Sequence, residues 1–364
     1  MSEVGGLFEA LRFAHGAGMK NRFMLAPLTN CQSHDDGRLS DDEFGWLKRR
    51  AEGGFGLTMT CASHVQAVGR GFPGQLGVFA DLHVEGLARL AAAIKAAGSL
   101  AMVQLHHAGM RAPASLVGTT PVCPSDNAEF GARALAIAEV EQLVADFVAG
   151  AIRAERAGFD GVEIHGAHGY VISQFLSPEI NLRTDRYGGP LENRARILFD
   201  IVAGVRERCR PDFVLGVRLS PERFGLRLAE IRTVAQQLMT GGAIDLLDMS
   251  LWDVLKEPEE PQFKGRSLMS FFTELDRGAV RLGVAGRISG GDDAQRCIEA
   301  GADIAIIGRA AILHHDFPER VRAAQGFRAV PLPVTEEYLR AEGLGPAFVR
   351  YLGNWKGFVQ AGAG

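Results

Sequence analysis

Eight short apolar segments recur along this chain, and segments with helical periodicity separate them. A parallel sheet built from strand–helix units produces this alternation. Eight such units predict a closed (β/α)8 barrel, the TIM-barrel fold, with an open doubly wound sheet as the alternative. The predicted strands cover residues 22–28, 57–63, 100–105, 161–165, 213–219, 243–249, 282–285 and 303–307.

Helix signals lie between the predicted strands. Ser40 is followed three residues later by Glu43, which is a capping-box spacing at the start of a helix. Gly98 and Gly301 mark two helix ends, since glycine favours the position after a helix. The predicted helices run from Ser40 to residue 52 and over 86–97, 139–157, 191–209, 229–239 and 292–300.

The length of the chain, 364 residues, fits one barrel with insertions. We expect a single TIM-barrel domain over 1–364, with the barrel at about 20–318 and a C-terminal extension at about 319–364. Two long loops, 108–138 and 251–266, follow predicted strand ends, where barrel active sites lie. The second loop is either a substrate lid or an ordinary surface excursion.

The overall composition excludes several classes of protein. A net charge of −4 and a pI near 6.2 argue against a nucleic-acid partner. No apolar run approaches the roughly 18 residues that span a bilayer, and the N-terminal sequence lacks a secretory pattern, so we expect a cytoplasmic protein. The five cysteines have no CxxC spacing, which favours neither a disulfide framework nor an iron–sulfur cluster.

Chemically active side chains are concentrated after the fourth predicted strand. His165, His168 and Tyr170 lie within six residues of one another at its end. Imidazoles donate hydrogen bonds and a phenol can give up a proton, so the three could hold a carbonyl oxygen and protonate a neighbouring carbon. Two other interpretations are a metal site that includes Glu163, and polar groups satisfied in a barrel mouth.

The whole stretch 165–194, HGAHGYVISQFLSPEINLRTDRYGGPLENR, closely resembles the signature of the old yellow enzyme family of FMN-dependent ene-reductases. The resemblance implies bound FMN and NADH or NADPH as reductant. His165 and His168 would bind the substrate's oxygen, and Tyr170 would protonate the carbon. The substrates would be small α,β-unsaturated molecules such as enones, maleimides and nitroalkenes. The alternatives are a flavin-barrel NADH oxidase or quinone reductase, and a non-redox lyase or isomerase with a phosphate site.

Two glycine–arginine pairs mark a predicted phosphate site. Gly286-Arg287 and Gly308-Arg309 follow the seventh and eighth predicted strands. Barrels often bind phosphate between these two loops, where backbone N–H groups and arginine reach the anion. The alternative is that these arginines are solvated surface charges. The resemblance agrees with the phosphate interpretation.

For the flavin ring, the resemblance assigns further positions. Arg218 would lie by N1 and O2 of the ring, where reduction adds negative charge; an arginine inside the apolar run 213–219 could instead be one half of a buried ion pair. The resemblance gives the cofactor the positions Ala26, Pro27, Leu28, Thr29, Ala62, Gln104, His165, Arg218, Gly286, Arg287, Gly308 and Arg309.

Some features depart from the family or stay open. Cys31 stands where some relatives have an active-site tyrosine, and the C-terminal tail does not match the motif that inserts an arginine into a neighbouring subunit. His106 and His107 are adjacent, and only one of them can face the barrel. The GxGxxG string at 69–74 contains Pro73 and opens no clear helix, which argues against a dinucleotide fold. Self-association is left open.

Overall fold

The computed structural model describes residues 4–324 and 326–360. Eight parallel strands form a closed barrel in which each strand pairs with its sequence neighbours, and the last strand pairs with the first. The predicted barrel is therefore confirmed and the open-sheet alternative is wrong. The barrel strands are β1 (Phe23–Leu25), β2 (Leu57–His64), β3 (Leu100–His106), β4 (Gly161–Gly166), β5 (Val214–Leu219), β6 (Leu246–Ser250), β7 (Arg281–Ala285) and β8 (Ile304–Ile307).

Thirteen helices accompany the strands in the described residues. The six predicted helices are present, and the sequence interpretation missed several helices of eight residues or fewer. The helices are α1 (Asp41–Glu52), α2 (Val84–Ala96), α3 (Ala114–Val117), α4 (Ile137–Arg156), α5 (Val171–Leu176), α6 (Leu191–Arg208), α7 (Leu228–Thr240), α8 (Ser270–Thr273), α9 (Gly291–Glu299), α10 (Arg309–Leu313), α11 (Phe317–Ala323), α12 (Glu336–Ala341) and α13 (Pro346–Gly353).

The first strand is shorter than predicted. β1 ends at Leu25, so Ala26, Pro27 and Leu28 form irregular chain beyond the strand. Proline has no N–H to give to a strand ladder, which explains why pairing stops just before it. This ending leaves the three residues at the C-terminal rim of the barrel, where they line the main cleft.

The lower half of the barrel interior is an apolar plug. Its buried side chains come from the strands and from an N-terminal segment in which Leu11 and Met19 exchange backbone hydrogen bonds of 2.9 and 2.8 Å. Burial of this apolar surface stabilises the closed end at roughly 25 cal/mol per Å². Polar side chains are consequently confined to the upper layers of the interior, near the strand ends.

Local signals at two places act as the sequence indicates. Ser40 accepts a hydrogen bond from the Glu43 N–H at 3.1 Å and so caps α1. Arg183 forms a fork with Asp185 and also donates to the carbonyl of Pro124 at 2.8 Å, which holds the loop between β4 and α6. Arg183 and Asp185 thus have a structural role.

The C-terminal extension packs against the barrel. Tyr338 of α12 donates to the carbonyl of Leu313 at 2.7 Å, and the N–H of Gly345 donates to Gln32 at 2.8 Å. Trp355, just after α13, lines the main cleft. The extension therefore contributes to one wall of the site. No helix in residues 4–324 and 326–360 is long and apolar enough to cross a membrane.

Candidate active site

A cleft of about 1290 Å³ opens at the C-terminal ends of the barrel strands. This is the end at which barrel enzymes place their catalytic groups. Eight of the twelve positions that the sequence assigns to the cofactor line this one cleft. They are Ala26, Pro27, Leu28, Arg218, Gly286, Arg287, Gly308 and Arg309.

One end of the cleft is built for an anion. Gly286 has φ +158°, and a Cβ there would lie 2.7 Å from the backbone nitrogen of Asp253, so only glycine fits. Gly308 immediately precedes α10, whose first N–H groups have no partner within the helix. Arg309 is exposed and forms no ion pair with the part of the chain that the structure describes, whereas Arg287 lies 3.3 Å from Asp253. The chemistry of this end fits a phosphate group.

The other four expected cofactor positions lie beside or below the cleft. Thr29 is half-buried and lies next to Tyr351 of α13. Ala62 is buried and its carbonyl accepts from Gln75 at 2.7 Å. Gln104 is buried and donates to Glu163 at 2.7 Å, and His165 is described below.

Arg218 has the buried ion pair that the sequence left open as one alternative, and it also lines the cleft. Its Nε lies 3.1 Å from Oδ2 of Asp248, yet their alignment is too poor for a hydrogen bond. The arginine is only 5% exposed, and it still lines the cleft. An isolated buried charge would be costly, and the carboxylate compensates it. The guanidinium is therefore held by an ion pair and also available to a ligand in the cleft.

The structure brings the three predicted catalytic residues together. The ring centroids of His165 and His168 are 5.1 Å apart, and those of His165 and Tyr170 are 5.2 Å apart. His165 lies at the end of β4, while Tyr170 is the residue just before α5. The short turn between them folds all three rings onto one wall.

Hydrogen bonds select the tautomers of these histidines. His165 Nδ1 accepts from the N–H of Ala167 at 3.3 Å, so its proton is on Nε2 in the neutral ring. His168 Nε2 lies 2.8 Å from the hydroxyl of Ser250. If that hydroxyl donates, His168 carries its proton on Nδ1 and can donate it into the cleft. Burial lowers the pKa of both imidazoles, so both are neutral donors near pH 7.

Tyr170 is kept protonated. Burial raises the pKa of its phenol, and the charge of Arg111 acts in the opposite direction. The Arg111 guanidinium carbon lies 5.0 Å from the Tyr170 ring centroid, and the same side chain donates to the carbonyl of His168. A phenol that holds its proton at neutral pH beside a stabilising cation has the properties of a general acid.

His106 belongs to this wall, although the sequence did not settle its direction. Its ring centroid is 4.4 Å from that of Tyr170 and 5.5 Å from that of His165. The N–H of Gly71 donates to Gln75 Oε1 at 2.7 Å, which orients the amide so that Gln75 Nε2 donates to His106 Nδ1 at 3.0 Å. His106 is therefore an Nε2–H tautomer. The alternation that puts Gln104 and His106 on one strand face was the available signal.

The turn that carries the predicted catalytic residues is strained. His168 has φ +61°, in the left-handed region that side chains other than glycine rarely occupy. Gly169 follows with φ +71°, and a Cβ there would lie 2.7 Å from the ring of Phe224. Backbone strain of this kind concentrates at functional sites. The strain supports a functional interpretation of this turn.

The loop over 251–266, which the sequence left open as a lid or a surface excursion, begins at the cleft mouth. Trp252 is 47% exposed, has φ +64°, and its ring centroid is 6.4 Å from that of His168. The guanidinium of Arg223 stacks on Trp252 at 4.7 Å, and Glu259 pairs with Arg223. An aromatic face is thereby presented to the cleft beside the catalytic histidines.

The carboxyl group of Glu163 has partners other than the two imidazoles. Glu163 accepts from Gln104 and faces Asp248 on β6, below the imidazole layer. No cluster of three or more histidine, cysteine, aspartate or glutamate side chains suitable for a metal occurs in residues 4–324 and 326–360.

One barrel cleft combines an end suited to a phosphate, a buried arginine and a wall of neutral hydrogen-bond donors. These features fit a flavin mononucleotide oxidoreductase. The chain belongs to the NADH:flavin oxidoreductase / NADH oxidase family, whose family model matches residues 6–326. It is an FMN-dependent NAD(P)H oxidoreductase of the old yellow enzyme family.

Individual proteins support this assignment. A probable NADH-dependent flavin oxidoreductase of Bacillus subtilis is 38% identical over 327 residues, which are 87% of each chain. The structure of an old yellow enzyme homologue from Zymomonas mobilis matches with a TM-score of 0.79 and 28% identity, covering 95% of this chain and 99% of that one. A 2-naphthoyl-CoA reductase matches with a TM-score of 0.80 and 26% identity over 88% of this chain, which spans 52% of its length.

Proposed function

We propose that this protein reduces the C=C bond of activated alkenes such as enones, maleimides and nitroalkenes. The observation that carries the proposal is the placement of Tyr170 on the same wall as His165 and His168. The ring centroids of Tyr170 and His165 are 5.2 Å apart. When bound, FMN would accept a hydride from NADH or NADPH and deliver it to the β-carbon. The residues of this chain would do the remaining work.

His165 and His168 would bind the oxygen of the electron-withdrawing group. Negative charge develops on this oxygen as the hydride arrives, and fixed donors stabilise it without reorganisation. Both rings are neutral. The Nε2–H of His165 would be free to donate, and the Nδ1–H of His168 would be free as well when the Ser250 hydroxyl donates to its Nε2. Two donors at one oxygen also fix the orientation of the alkene.

Tyr170 would then protonate the α-carbon. A carbon atom takes up protons slowly from water, so a positioned acid contributes roughly 10²–10⁴-fold. Arg111 over the Tyr170 ring would stabilise the phenolate left behind. Reprotonation from solvent would complete the cycle.

The binding roles of the cofactor positions form part of the proposal. The phosphate would be held by the residues that line the end of the cleft suited to an anion, which are Gly286, Arg287, Gly308 and Arg309. Ala26, Pro27, Leu28, Thr29, Ala62, Gln104, His165 and Arg218 would surround the ring.

An NADH oxidase or quinone reductase is the second candidate function. It is favoured by the family description, which includes NADH oxidases. Neither activity needs an acid at a carbon atom, so Tyr170 would have no catalytic task. The buried, protonated state of Tyr170 therefore favours alkene reduction.

Product analysis under anaerobic conditions tests the proposal. The purified, FMN-loaded protein should be bleached by NADH or NADPH and should recover its yellow colour when 2-cyclohexenone is added. Cyclohexanone should form in a one-to-one ratio with oxidised nicotinamide. Recolouring by quinones or oxygen alone, with no saturated ketone from any enone, maleimide or nitroalkene, would favour the second candidate.

A further inference from the structure

We name His106, His165, His168 and Tyr170 the catalytic wall. Two carboxyl groups lie buried beneath it, and the proposed reaction does not use them. Glu163 on β4 and Asp248 on β6 are fully buried, and they lie on either side of β5, which carries Arg218. Gln104 on β3 completes the group by donating to Glu163. We name Gln104, Glu163, Arg218 and Asp248 the carboxyl cluster.

Without a proton on one of its carboxyl groups, the carboxyl cluster has more hydrogen-bond acceptors than donors. Glu163 Oε2 and both carboxyl oxygens of Asp248 have no donor among residues 4–324 and 326–360. Unpaired buried carboxylate oxygens are costly, and one arginine cannot compensate two negative charges. A single proton on either carboxyl group supplies the missing donor and leaves the cluster with no net charge.

Charge and burial in the cluster favour the same protonation state. Burial, followed by the charge of Asp248, raises the pKa of Glu163 to about 8. Burial raises the pKa of Asp248 to about 6, although Arg218 opposes it. The two titrate as a pair, so these values describe the pair's two steps. Near pH 7 the pair consequently holds one proton.

Other strands add little titratable charge near the cluster. His165, which lies beside Arg218 on the neighbouring strand β4, stays neutral because burial lowers its pKa. Cys61 on β2 is also neutral, since burial raises its pKa. On β7, Arg281 lies at the opposite end and pairs with Asp303, while β1 and β8 are wholly apolar. Arg218 thus provides the nearest charge that links the pair to the cleft.

We propose that the Glu163–Asp248 pair is a proton store for the flavin, taking up one proton when the cofactor is reduced and releasing it on reoxidation. The proposal rests on FMN binding beside Arg218, as proposed above. A hydride brings two electrons and one proton and adds a negative charge at the ring. That charge raises the proton affinity of Asp248 through Arg218, and solvent supplies the second proton. Protonated Asp248 then leaves Arg218 free to stabilise the reduced ring.

The pH dependence of the flavin midpoint potential tests this proton count. The wild-type protein should take up two protons per two electrons near pH 7, and Asp248→Asn should take up one, with FMN still bound. Glu163→Gln, which keeps the acceptor for Gln104, should behave like the wild type near pH 7 and lose the slope change near pH 8. Equal proton counts in the wild type, in Asp248→Asn and in the double variant Glu163→Gln/Asp248→Asn would overturn the proposal, because neither carboxyl group would then be the site of uptake.

The pH dependence of unfolding, measured on the protein without flavin, tests the proton on the pair even if a variant does not bind FMN. A carboxyl group with a folded pKa of about 8 and an ordinary value of 4.5 binds more protons folded than unfolded between these limits. Its contribution to stability is therefore present at low pH and is lost as the pH rises towards 8. Glu163→Gln should flatten this decline in the free energy of unfolding. An unchanged pH dependence would show that the pair holds no proton.

The outcome does not depend on alkene reduction. If cyclohexanone fails to form but Asp248→Asn lowers the proton count, the store stands and the ene-reductase proposal fails. If cyclohexanone forms but the proton count is unchanged in Asp248→Asn and in the double variant, the ene-reductase proposal stands and the proton store fails.

Discussion

The catalytic wall and the carboxyl cluster are adjacent layers of one barrel with opposite electrostatic character. In the wall, His106, His165, His168 and Tyr170 are all uncharged near pH 7, because burial lowers the imidazole pKa values and raises that of the phenol. In the cluster, Arg218 is charged and two carboxyl groups compete for one proton.

This difference separates two tasks. Neutral donors can move a proton to a substrate without creating a buried charge beforehand, whereas charge from a reduced cofactor needs a counter-charge nearby. The barrel provides both by alternating residues along β4, where Glu163 and His165 share the inward face in successive layers. Variants in the catalytic wall should therefore affect substrate steps, and those in the cluster should affect the cofactor's potential.

The largest expected effect comes from Tyr170→Phe. Removing the hydroxyl should slow flavin reoxidation by 2-cyclohexenone by roughly 10²–10⁴-fold, since protonation of the carbon loses its acid. Flavin reduction by NADH or NADPH needs no such proton and should be nearly unaffected. Stopped-flow absorbance of the flavin measures both half-reactions.

Reoxidation by a quinone is the internal control for Tyr170→Phe, because the product is protonated on oxygen by solvent. That rate should fall little. Equal losses with the enone and the quinone, or no loss with either, would remove Tyr170 from the role of proton donor.

The positions of these catalytic residues could be predicted because one contiguous stretch contains them. His165, His168 and Tyr170 lie within six residues, and the strand ending at Gly166 sets where their chain emerges. The sequence also indicated which residues line the other end of the cleft, where we propose that the phosphate binds, since Gly286 and Gly308 immediately follow β7 and β8. Local sequence specified both ends of the cleft.

The partners of those residues could not be predicted, because they come from distant strands. Ser250 reaches His168 from β6, Gln75 orients His106, and Asp248 pairs with Arg218 only through the register of β5 and β6. The end of β1 at Leu25 was also mispredicted, because apolar continuity hid the effect of Pro27. Tertiary pairing, which no local pattern encodes, decides these details.

Substitution of the oxygen-binding histidines should produce the next largest effect. Phenols mimic an enolate oxygen, so His165→Ala and His168→Ala should each weaken phenol binding by about 1.5–3 kcal/mol, the cost of a hydrogen bond to a charged group. The charge-transfer absorbance of the phenol–flavin complex measures the affinity.

Loss of flavin must be excluded before these affinities are compared. The visible spectrum should show full FMN occupancy in both variants, and the flavin potential should stay near the wild-type value because the carboxyl cluster is intact. Phenol affinity equal to that of the wild type in both variants would place the substrate's oxygen elsewhere in the cleft.

The smallest effect is expected from Ser250→Ala, which tests the support of one ring. The variant removes the hydroxyl 2.8 Å from His168 Nε2, so the proton is no longer directed to Nδ1. One hydrogen bond contributes about 0.5–1.5 kcal/mol, which predicts phenol binding weakened by roughly 2–13-fold. Ser220→Ala is the matched control, because Ser220 accepts from the backbone N–H of His168 at 3.0 Å and does not touch the ring. Nitrogen NMR shifts of the His168 ring should therefore change in Ser250→Ala and stay constant in Ser220→Ala. If the ring shifts are the same in both variants, His168 takes its tautomer from another source, and the catalytic wall depends less on β6 than the geometry indicates.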